Sequence, residues 1–570
     1  MSSRDWNKRW VRIESDAALV ARLARELRLS DVAATLLVNR GISDPEAAYK
    51  FLNPKLDDLH DPFLMAGMRE AVDRIMGAVE RKEKILIYGD YDVDGTTSTV
   101  ILKKALSLTG AEVSYYIPER LKDGYGLRED AIDLARDQGY RLIISVDTGI
   151  RAHSVVEHAR ALGLDIIITD HHLPDGHLPR ANAVLNPKRT DCSYPNKNLA
   201  GVGVAFKLAQ ALLSVTGQER LVESFIKIAA IGTIADVVPL IGENRIIAKH
   251  GLKGLGRPNN HGLRALLEVA GISGRPVSCV DVGFRIGPRI NAMGRMAGAG
   301  AAVNLFDAPD FETAMQMALE MNEQNTARQT IEADILDLVM AEIERDPEIR
   351  KSRVAVIAGE GWHRGVIGII ASRVVERLYR PAIIISIENG LGHGSGRSIE
   401  AFHLLDGLTE CADLFERFGG HSHAAGLVIK ADKIDELRER LNLHAREVLS
   451  AEDLIPIIKT DYRLPLKQAS LETLQEIAQL EPFGPGNPQP VFETRDAQVV
   501  SPPRVLKEKH LKFRVMQESR WIDCLWWGAA ERASDIFPGD RVSLAFTLSE
   551  NTYNNLTQAQ LTLLDLKLSG

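Results

Sequence analysis

Short apolar runs alternate with longer, helix-like segments between residues 76 and 300. The clearest runs are KILIYGD, EVSYYIP, RLIISVDTG, LDIIITDHH and NAVLNP. Each is nearly continuous in apolar residues, which is typical of strands covered on both faces of a parallel sheet. Because the runs are separated by stretches long enough for crossover helices, this part of the chain is predicted to be a doubly wound α/β domain.

Helical patterns dominate the two segments that flank this region. Residues 1–75 are predicted to be helical and peripheral, and DPEAAYKFLNP within them indicates a capped helix that Pro54 closes. Residues 311–346 contain neither Gly nor Pro. Such a segment predicts one long helix, or two joined helices, between domains.

The C-terminal half carries two further patterns. A second α/β pattern runs from RVAVIAGEGW to about residue 450. After LEPFGPGNPQPVF come short alternating segments that predict a small β-barrel or sandwich, namely HLKFRVM, WIDCLWWG, RVSLAFTLS and AQLTLLDLKL. Since 570 residues are too many for one core, we predict a helical segment (1–75), an α/β domain (76–300), a long connecting helix (301–350), a second α/β domain (351–450) and a β-barrel (455–570).

Composition narrows the class of protein. Apolar residues make up 45% and charged residues 26% of the chain, as in an ordinary globular protein. No apolar run has the length of a membrane span, and the charged start MSSRDWNKRW is unlike a secretory signal. The formal net charge of −8 argues against a wholly basic surface but does not exclude nucleic acid. The cysteines are isolated, which favours a reducing cytoplasm over a zinc site or disulfide frame: Cys192, Cys279, Cys411 and Cys524.

Three aspartates follow the first apolar run, at Asp90, Asp92 and Asp94 in GDYDVDG. The spacing is that of an EF-hand loop, but loop position 12 counted from Asp90 is Ile101, which cannot bind a cation. Two interpretations stay open. The segment is either a turn with a solvated acidic tip or a carboxylate cluster that faces one or two divalent metals at the carboxyl end of a strand.

The same segment also predicts where the next helix begins. Gly95 should end the strand region, and Thr96 or Thr97 can cap the helix that follows. Together with the preceding strand this forms half of a βαβ unit.

Further acids end other apolar runs. RLIISVDTG ends on Asp147, LDIIITDHH ends on Asp170, His171 and His172, and IAAIGTIADVVPL embeds Asp236. Taken singly, each is more often a cap or a structural residue, but a parallel sheet gathers its strand ends on one edge. Buried carboxylates cost several kcal/mol each without a partner, and Asp with a little His selects Mn²⁺ or Mg²⁺. Two such ions about 3.5–4 Å apart would activate water and clamp a phosphoryl oxygen.

The motifs in order resemble a known family. DYDVDG, VDTG, TDHH and IADVVPL resemble the DHH phosphoesterases, named for the Asp170–His172 triplet. PRINAMGRM, GWHRGVIGIIASR, GSGRS, GGHSHAAG and PFGPGNPQPVF extend the resemblance to the RecJ exonucleases, which are specific for single-stranded DNA, from about residue 50 to the C-terminus. The resemblance implies DHH and DHHA1 α/β domains joined by the long helix, followed by an OB-like barrel.

The resemblance also implies two metal ions, Mn²⁺ or Mg²⁺, that share Asp147. One would be held mainly by Asp92 and Asp147, while Asp90 would be a ligand or would orient one. The ligands of the other would be Asp94, Asp147, His171 and Asp236.

The substrate residues implied by the resemblance come from both α/β domains. His172 would meet the substrate phosphate, and Asn291 and Arg295 would complete its cradle. GSGRS is expected to form a tight glycine turn that wraps a 5′-terminal phosphate. The residues expected to bind substrate elsewhere are Arg120, Ser395, Arg397, His421 and His423.

The barrel is expected to grip single strands. Its basic residues Arg504, Lys507, Lys509, Lys512 and Arg514 lie among aromatic residues, the combination found in single-strand-binding folds. About two-thirds of the aromatics are expected in the core; they are Phe513, Trp521, Trp526, Trp527 and Tyr553. In HLKFRV, alternation predicts Leu511 and Phe513 inside and Lys512 and Arg514 outside. A chain ending near Ser450 is expected to bind strands weakly yet retain its metals.

The predicted function is a 5′→3′ exonuclease that releases mononucleotides from single-stranded DNA in repair and recombination. The direction comes from the resemblance alone. Expected partners are single-stranded DNA, a single-strand-binding protein and a RecQ-type helicase. The protein is expected to be a monomer and to act in the bacterial cytoplasm, associated with the nucleoid. Two alternative functions are less favoured. A pyrophosphatase would need neither a C-terminal barrel nor a chain of this length. A non-catalytic DNA-binding relative would have lost metal ligands, and all the expected ligands are present here.

Overall fold

The structure, a computed structural model, describes residues 8–119, 124, 126–296, 298 and 300–569. Its N-terminal part contains strand β1 (Arg9–Arg12) and helices α1 (Ala17–Leu27), α2 (Asp31–Asn39), α3 (Pro45–Leu52) and α4 (Met68–Glu80). Helix α3 is the predicted capped helix: the Asp44 side chain accepts from the Ala47 N–H, and Pro45 occupies the first helical position.

A five-stranded parallel sheet forms the first α/β domain, with strand order β3-β2-β4-β5-β6. All five apolar runs form strands, which confirms the prediction. The elements are β2 (Lys84–Tyr88), α5 (Val93–Leu108), β3 (Val113–Tyr116), α6 (Glu129–Asp137), β4 (Tyr140–Val146), α7 (His153–Ala161), β5 (Asp165–Thr169) and β6 (Ala183–Leu185).

Helices follow this sheet and lead to the second domain. They are α8 (Gly201–Val215), α9 (Val222–Ala235), α10 (Gly242–Leu255), α11 (His261–Val269), α12 (Cys279–Asp281), α13 (Gly287–Met296), α14 (Gly300–Phe306), α15 (Phe311–Arg345) and α16 (Pro347–Lys351). The segment without Gly or Pro forms α15, a single helix of 35 residues. Among the described residues, no helix combines the length and apolar character needed to cross a membrane.

The second α/β domain is built on a mixed sheet of order β10-β11-β9-β8-β7, in which β7 and β8 run parallel and the other neighbouring strands antiparallel. Strand β9 lies in the interior of the sheet, between β8 and β11. The elements are β7 (Ala355–Glu360), α17 (Ile367–Leu378), β8 (Ala382–Glu388), β9 (Leu391–Arg397), α18 (Leu404–Thr409), β10 (Phe415–Gly420), β11 (Ala424–Lys430) and α19 (Ile434–Val448).

The C-terminal sheet has seven strands in the order β13-β14-β18-β19-β17-β16-β15, and an added β14–β16 pairing closes it into a barrel. Leu511 and Phe513 of β16 point inward and their neighbours outward, as predicted. The elements are β12 (Ile457–Thr460), β13 (Tyr462–Arg463), α20 (Leu471–Ala478), β14 (Phe492–Val499), β15 (Arg504–Leu506), β16 (His510–Gln517), β17 (Arg520–Trp526), β18 (Arg541–Tyr553) and β19 (Leu556–Leu568).

The N-terminal segment is not peripheral, so that prediction was wrong. Strand β1 pairs with β12 in parallel, and Leu23, Leu36 and Leu37 share one hydrophobic core with the barrel. The Trp10 indole N–H donates to Asp565 over 2.7 Å. An amphipathic helix shows which face is buried but not which distant element covers it, so the sequence pattern could not identify this partner.

Candidate active site

The three clustered aspartates lie where β2 passes into α5. The helix begins at Val93, and Asp92 is its N-cap, because its carboxylate accepts from the Gly95 N–H over 3.0 Å. The predicted capping by Thr96 or Thr97 was therefore wrong: the acidic residue already occupies the capping position, and the helix starts earlier.

Asp94 caps the N-terminus of a second helix, to which it does not itself belong. Its two carboxylate oxygens accept from the N–H groups of Gly201 and Val202, each over 2.7 Å, at the start of α8. A helix N-terminus carries partial positive charge and favours an anion. Two helix N-termini thus offset part of the repulsion among these carboxylates.

Asp147 lies buried in the site, directly after β4. Its backbone has φ 60°, a conformation that Asp tolerates better than most residues. The helix α8 packs so closely that a Cβ on Gly201 would lie 2.6 Å from Asp147 Oδ1. Glycine at position 201 is therefore required for Asp147 to occupy this position.

Asp236 reaches the site from a helix and not from a strand, which corrects the expectation for this segment. IAAIGTIAD forms the end of α9, and Asp236 follows its last residue. The run is uniformly apolar because the helix is packed on most sides, and a short apolar run does not distinguish a buried helix from a buried strand. A carboxylate at a helix C-terminus lacks the dipole support that Asp92 and Asp94 receive.

The predicted ligands come together in two groups. Ligand atoms within 4.8 Å of one another are found among Asp90, Asp92 and Asp147, and again among Asp94, His171 and Asp236. A third group, which consists of Asp147, His171 and His172, overlaps both. His171 Nε2 lies 3.2 Å from Asp147 Oδ1, 3.6 Å from Asp236 Oδ2 and 3.8 Å from Asp94 Oδ2. Asp147 therefore adjoins both groups.

Burial and like charge make the ionised cluster unfavourable without a cation. Burial and then Asp236 raise the pKa of Asp94 well above its usual value, and burial and then Asp94 do the same to the pKa of Asp147. Burial and the nearby Asp92 raise the pKa of Asp236 to about 7. Burial, followed by His172, lowers the pKa of His171 to about 3, which keeps that imidazole neutral, the form that binds metals.

Several ligand atoms of the cluster make no hydrogen bond to the described residues. Within the described part of the chain, Asp147 Oδ1, His171 Nε2 and Asp236 Oδ2 are buried and have no hydrogen-bond partner. They lie close to one another, and a divalent cation would satisfy all of them at once. A donor set of carboxylates with one imidazole and no thiolate fits Mn²⁺ or Mg²⁺.

Asp170 is a functional residue that the site prediction omitted. Its buried carboxylate accepts from the N–H groups of Ile150, His171 and His172 and from the His172 ring nitrogen Nδ1, at 2.7–3.0 Å. Burial raises the pKa of Asp170, but the hydrogen bond and charge of His172 outweigh it, so the pKa is lowered. Asp170 thus fixes the turn that presents both histidines, and its position at a strand end was the available signal.

The His172 side chain is held by Asp170 and is partly exposed. Burial lowers the pKa of His172, but its hydrogen bond to Asp170 and the charges of Asp170 and Asp94 together outweigh burial and raise this pKa. Its side chain is 42% exposed, in contrast to the 8% of His171. Lys188, half-buried after β6, was also missed; its charge acts on Asp236 and Asp170, and no motif in its sequence segment indicated this.

A basic cavity of about 490 Å³ opens in the second α/β domain. Three predicted substrate residues line it: Arg295, Ser395 and Arg397. Arg295 donates to the Gly365 carbonyl over 2.5 Å and so links the two α/β domains. Two arginines not anticipated from the sequence, Arg364 and Arg417, add to its positive character, and His393 also lines it.

GSGRS forms part of strand β9 and not a glycine turn, so that prediction was wrong. Gly394 and Gly396 pair with both neighbouring strands, which leaves their backbone to the sheet and not to a phosphate. The glycines are needed because a Cβ at Gly394 would lie 2.7 Å from Leu427. Alternation along the strand then places Ser395 and Arg397 on the same face.

Three other predicted substrate residues lie outside the cavity. His421 and His423 are exposed on the turn between β10 and β11, and Asn291 lies half-buried on α13, one turn before Arg295. Arg120 lies outside the described residues. None of these positions contradicts contact with a long strand, and their roles stay predictions.

The barrel exposes more of its aromatic residues than expected. Only Phe513 and Trp526 of the five are buried, while Trp521, Trp527 and Tyr553 are exposed, so the expected two-thirds in the core was wrong. Asp523 pairs with both Lys512 and Arg514, at 3.2 Å and 2.9 Å, and the Arg514 guanidinium lies 4.2 Å from the Trp521 ring centre. Part of the basic stretch is therefore already paired.

Comparisons with known proteins match the architecture segment by segment. Residues 84–233 match the DHH family, N-terminal domain. Residues 351–447 match the DHHA1 domain, and residues 460–565 match the RecJ OB domain. With the carboxylate and histidine cluster, these matches define the class as a metal-dependent nuclease, a hydrolase of the DHH type.

Full-length relatives narrow the class to one family. The single-stranded-DNA-specific exonuclease RecJ of Bacillus subtilis is 41% identical over 98% of this chain and 71% of its own length. The protein of the same name from Dickeya dadantii is 36% identical over 90% of this chain and 92% of its own. The chain belongs to the RecJ family.

Solved structures agree with this assignment. The crystal structure of Thermus thermophilus RecJ in complex with Mn²⁺ has a TM-score of 0.84 and 31% identity, over 99% of this chain and 80% of that one. The Mg²⁺ complex of the same protein has a TM-score of 0.79 and 30% identity, over 99% and 79%. Both of these structures hold a divalent cation, and the carboxylate and histidine cluster of this chain has the donor set that fits one.

Proposed function

We propose that the protein is a 5′→3′ exonuclease specific for single-stranded DNA that releases mononucleotides with the help of two divalent metal ions. The observation that carries the proposal is the position of Asp147 between two groups of ligands. The names of the relatives support the substrate class, and the polarity rests on the family resemblance.

In this proposal each ligand group holds one ion. Asp90, Asp92 and Asp147 hold the first, and the second is held by Asp94, Asp147, His171 and Asp236. The ions would supply Lewis acidity toward a phosphodiester and activation of the attacking water. Asp170 holds His172 through Nδ1, so that its ring contacts the substrate phosphate, and Asn291 and Arg295 complete the phosphate cradle.

The second domain and the barrel bind the strand on either side of the chemistry. Ser395 and Arg397 bind the 5′-terminal phosphate, and the surrounding arginines of the cavity hold adjacent negative charge. Exposed Trp527 and Tyr553 offer faces for stacking bases. His421 and His423 contact the backbone of the strand.

The wider assignment follows from the same function. The chain divides into a helical segment (1–75), a DHH domain (76–300), a connecting helix (301–350), a DHHA1 domain (351–450) and an OB-like barrel (455–570). The enzyme acts as a monomer in DNA repair and recombination, in the bacterial cytoplasm at the nucleoid, with a single-strand-binding protein and a RecQ-type helicase as partners.

Digestion of end-labelled DNA tests the proposal directly. The full-length protein with Mn²⁺ or Mg²⁺ is expected to release labelled mononucleotides at once from 5′-labelled single strands, and from 3′-labelled strands only after a lag. Duplex of the same sequence and reactions with EDTA are the controls. Binding without release of nucleotides would indicate a non-catalytic DNA-binding relative, and immediate release from the 3′ label would reverse the polarity.

Loss of Arg397 is expected to remove the preference for 5′-phosphorylated ends. A charge-assisted hydrogen bond to a phosphate contributes about 1.5–3 kcal/mol, so Arg397→Ala should reduce the preference for 5′-phosphate over 5′-hydroxyl strands at least about tenfold. The measurement is kcat/KM for both strands at matched salt.

A matched control comes from the same domain. Arg373 on α17 pairs with Glu332 and Glu376 on the surface, so Arg373→Ala removes the same charge outside the cavity. It should keep the preference. An unchanged preference in Arg397→Ala would place recognition of the 5′ end elsewhere.

A further inference from the structure

A turn of the C-terminal domain contacts the loop that carries a proposed metal ligand. The turn consists of residues 482–488, PFGPGNP, between α20 and β14; we call it the proline turn. The loop consists of residues 237–241, directly after Asp236, and is called the Asp236 loop. The Leu240 N–H donates to the Pro485 carbonyl over 2.7 Å.

The glycines of the proline turn allow this contact. A Cβ on Gly484 would lie 2.7 Å from Leu240 Cδ1. Gly486 has φ +74°, and a Cβ there would lie 3.2 Å from both Ile241 Cγ2 and Pro239 Cβ. The two segments therefore touch along three consecutive residues of the Asp236 loop.

The proline turn is anchored firmly on its far side. The buried Asn487 donates its side-chain amide to the carbonyls of Leu480 and Pro482, at 2.7 Å and 2.9 Å. Its backbone exchanges hydrogen bonds with Gly484 over 2.9 Å and 3.0 Å. Arg245, buried on α10, donates to the Glu481 carbonyl over 2.9 Å. A turn that is anchored in this way can hold the loop that it contacts in a defined position.

The Asp236 loop, in contrast, contains a strained residue. Val237 has φ 60° and is 66% exposed. A β-branched residue in this conformation costs about 1–3 kcal/mol and persists only where its surroundings enforce it. Asn244 donates to the Pro239 carbonyl over 3.0 Å, and the proline turn holds the next residue, Leu240.

We propose that the proline turn is a positioning element for Asp236, so that the C-terminal domain sets the affinity of one metal site. The proposal rests on the two-ion function above. It assigns the effect to the group of Asp94, His171 and Asp236, because the Asp236 loop directly follows a ligand of that group, whereas Asp90 and Asp92 lie on a different segment. The barrel domain then contributes to the metal centre as well as to DNA binding.

The test compares two glycine substitutions that impose the same backbone strain. Gly486→Ala places a Cβ against the Asp236 loop, whereas Gly528, with φ +69°, has nothing within 4 Å of an added Cβ. Mn²⁺ is titrated into the metal-free, full-length protein and followed by electron paramagnetic resonance. Gly486→Ala should weaken one of two sites about tenfold, in the range known for residues that orient ligands, and leave the other unchanged. Gly528→Ala should leave both unchanged.

The outcomes separate this proposal from the proposed function. Wild-type Mn²⁺ affinity in Gly486→Ala, with two ions bound, would overturn the positioning role alone. A wild-type protein that binds one ion would overturn the two-ion function, and positioning would then be judged by whether Gly486→Ala weakens that ion. If Gly486→Ala does not fold, Gly484→Ala presses on Leu240 without positive φ and serves instead; Leu240→Ala in the same chain should restore the affinity.

Discussion

Asp147→Asn is expected to reduce nuclease activity by about 10³-fold or more while the protein stays folded. Asp147 adjoins both ligand groups, so its loss weakens both metal sites. Charge stabilisation by such ions contributes several kcal/mol, and about 1.4 kcal/mol corresponds to a tenfold change in rate. Asparagine is the appropriate substitution because, like Asp, it tolerates the positive φ of 60° at this position, so the backbone conformation is preserved.

Thermal unfolding distinguishes a lost metal site from a damaged fold. Without metal, Asp147→Asn should unfold at or above the wild-type temperature, since one of several repelling buried carboxylates is gone. With saturating Mn²⁺ the wild type should gain stability, by about 2.7 kcal/mol at a hundredfold excess over Kd, and the variant should gain little. Wild-type digestion rates in Asp147→Asn would remove this residue from the mechanism.

A chain that lacks residues 451–570, and with them the barrel, is expected to have unfolded N-terminal helices. Leu23, Leu36 and Leu37 are buried in the core that they share with the barrel. Each buried Leu contributes roughly 1.5–3 kcal/mol, so exposing three approaches the whole stability of a typical domain, about 5–15 kcal/mol. This result would replace the expectation that a chain ending near Ser450 binds long single strands more weakly and acts less processively but retains its metals.

The deletion is checked by size-exclusion chromatography and limited proteolysis. Cleavage should concentrate within residues 8–52, which pair with the barrel through β1 and through hydrogen bonds such as Ser30 N–H to Glu476. Supplying residues 451–570 as a separate chain during expression is the control and should restore protection. A soluble, protease-resistant chain of residues 1–450 would show that the shared core is dispensable.

The sequence alone predicted most of the first α/β domain and the acids and histidines that meet at its edge. Continuous apolar runs followed by Asp, Gly and Thr specify strand, turn and helix locally, because each element depends on neighbours within about ten positions. The parallel arrangement then brings Asp90, Asp147 and His171 to one edge without further information. Alternation in β16 likewise fixed which side chains face the barrel core.

Prediction from the local sequence pattern failed where one element depends on another that is distant in the sequence. The apolar run before Asp236 did not show that this residue follows a helix. The glycine-rich GSGRS resembled a turn, although Gly394 is small because it packs against Leu427 and Gly396 because it packs against Leu404. The contacts of Asp94 with α8, of the N-terminal helices with the barrel and of Leu240 with Pro485 join residues more than 100 positions apart. These contacts are visible only in the folded chain, because hydrophobic burial is non-directional: it requires that a face be covered but does not specify which element covers it.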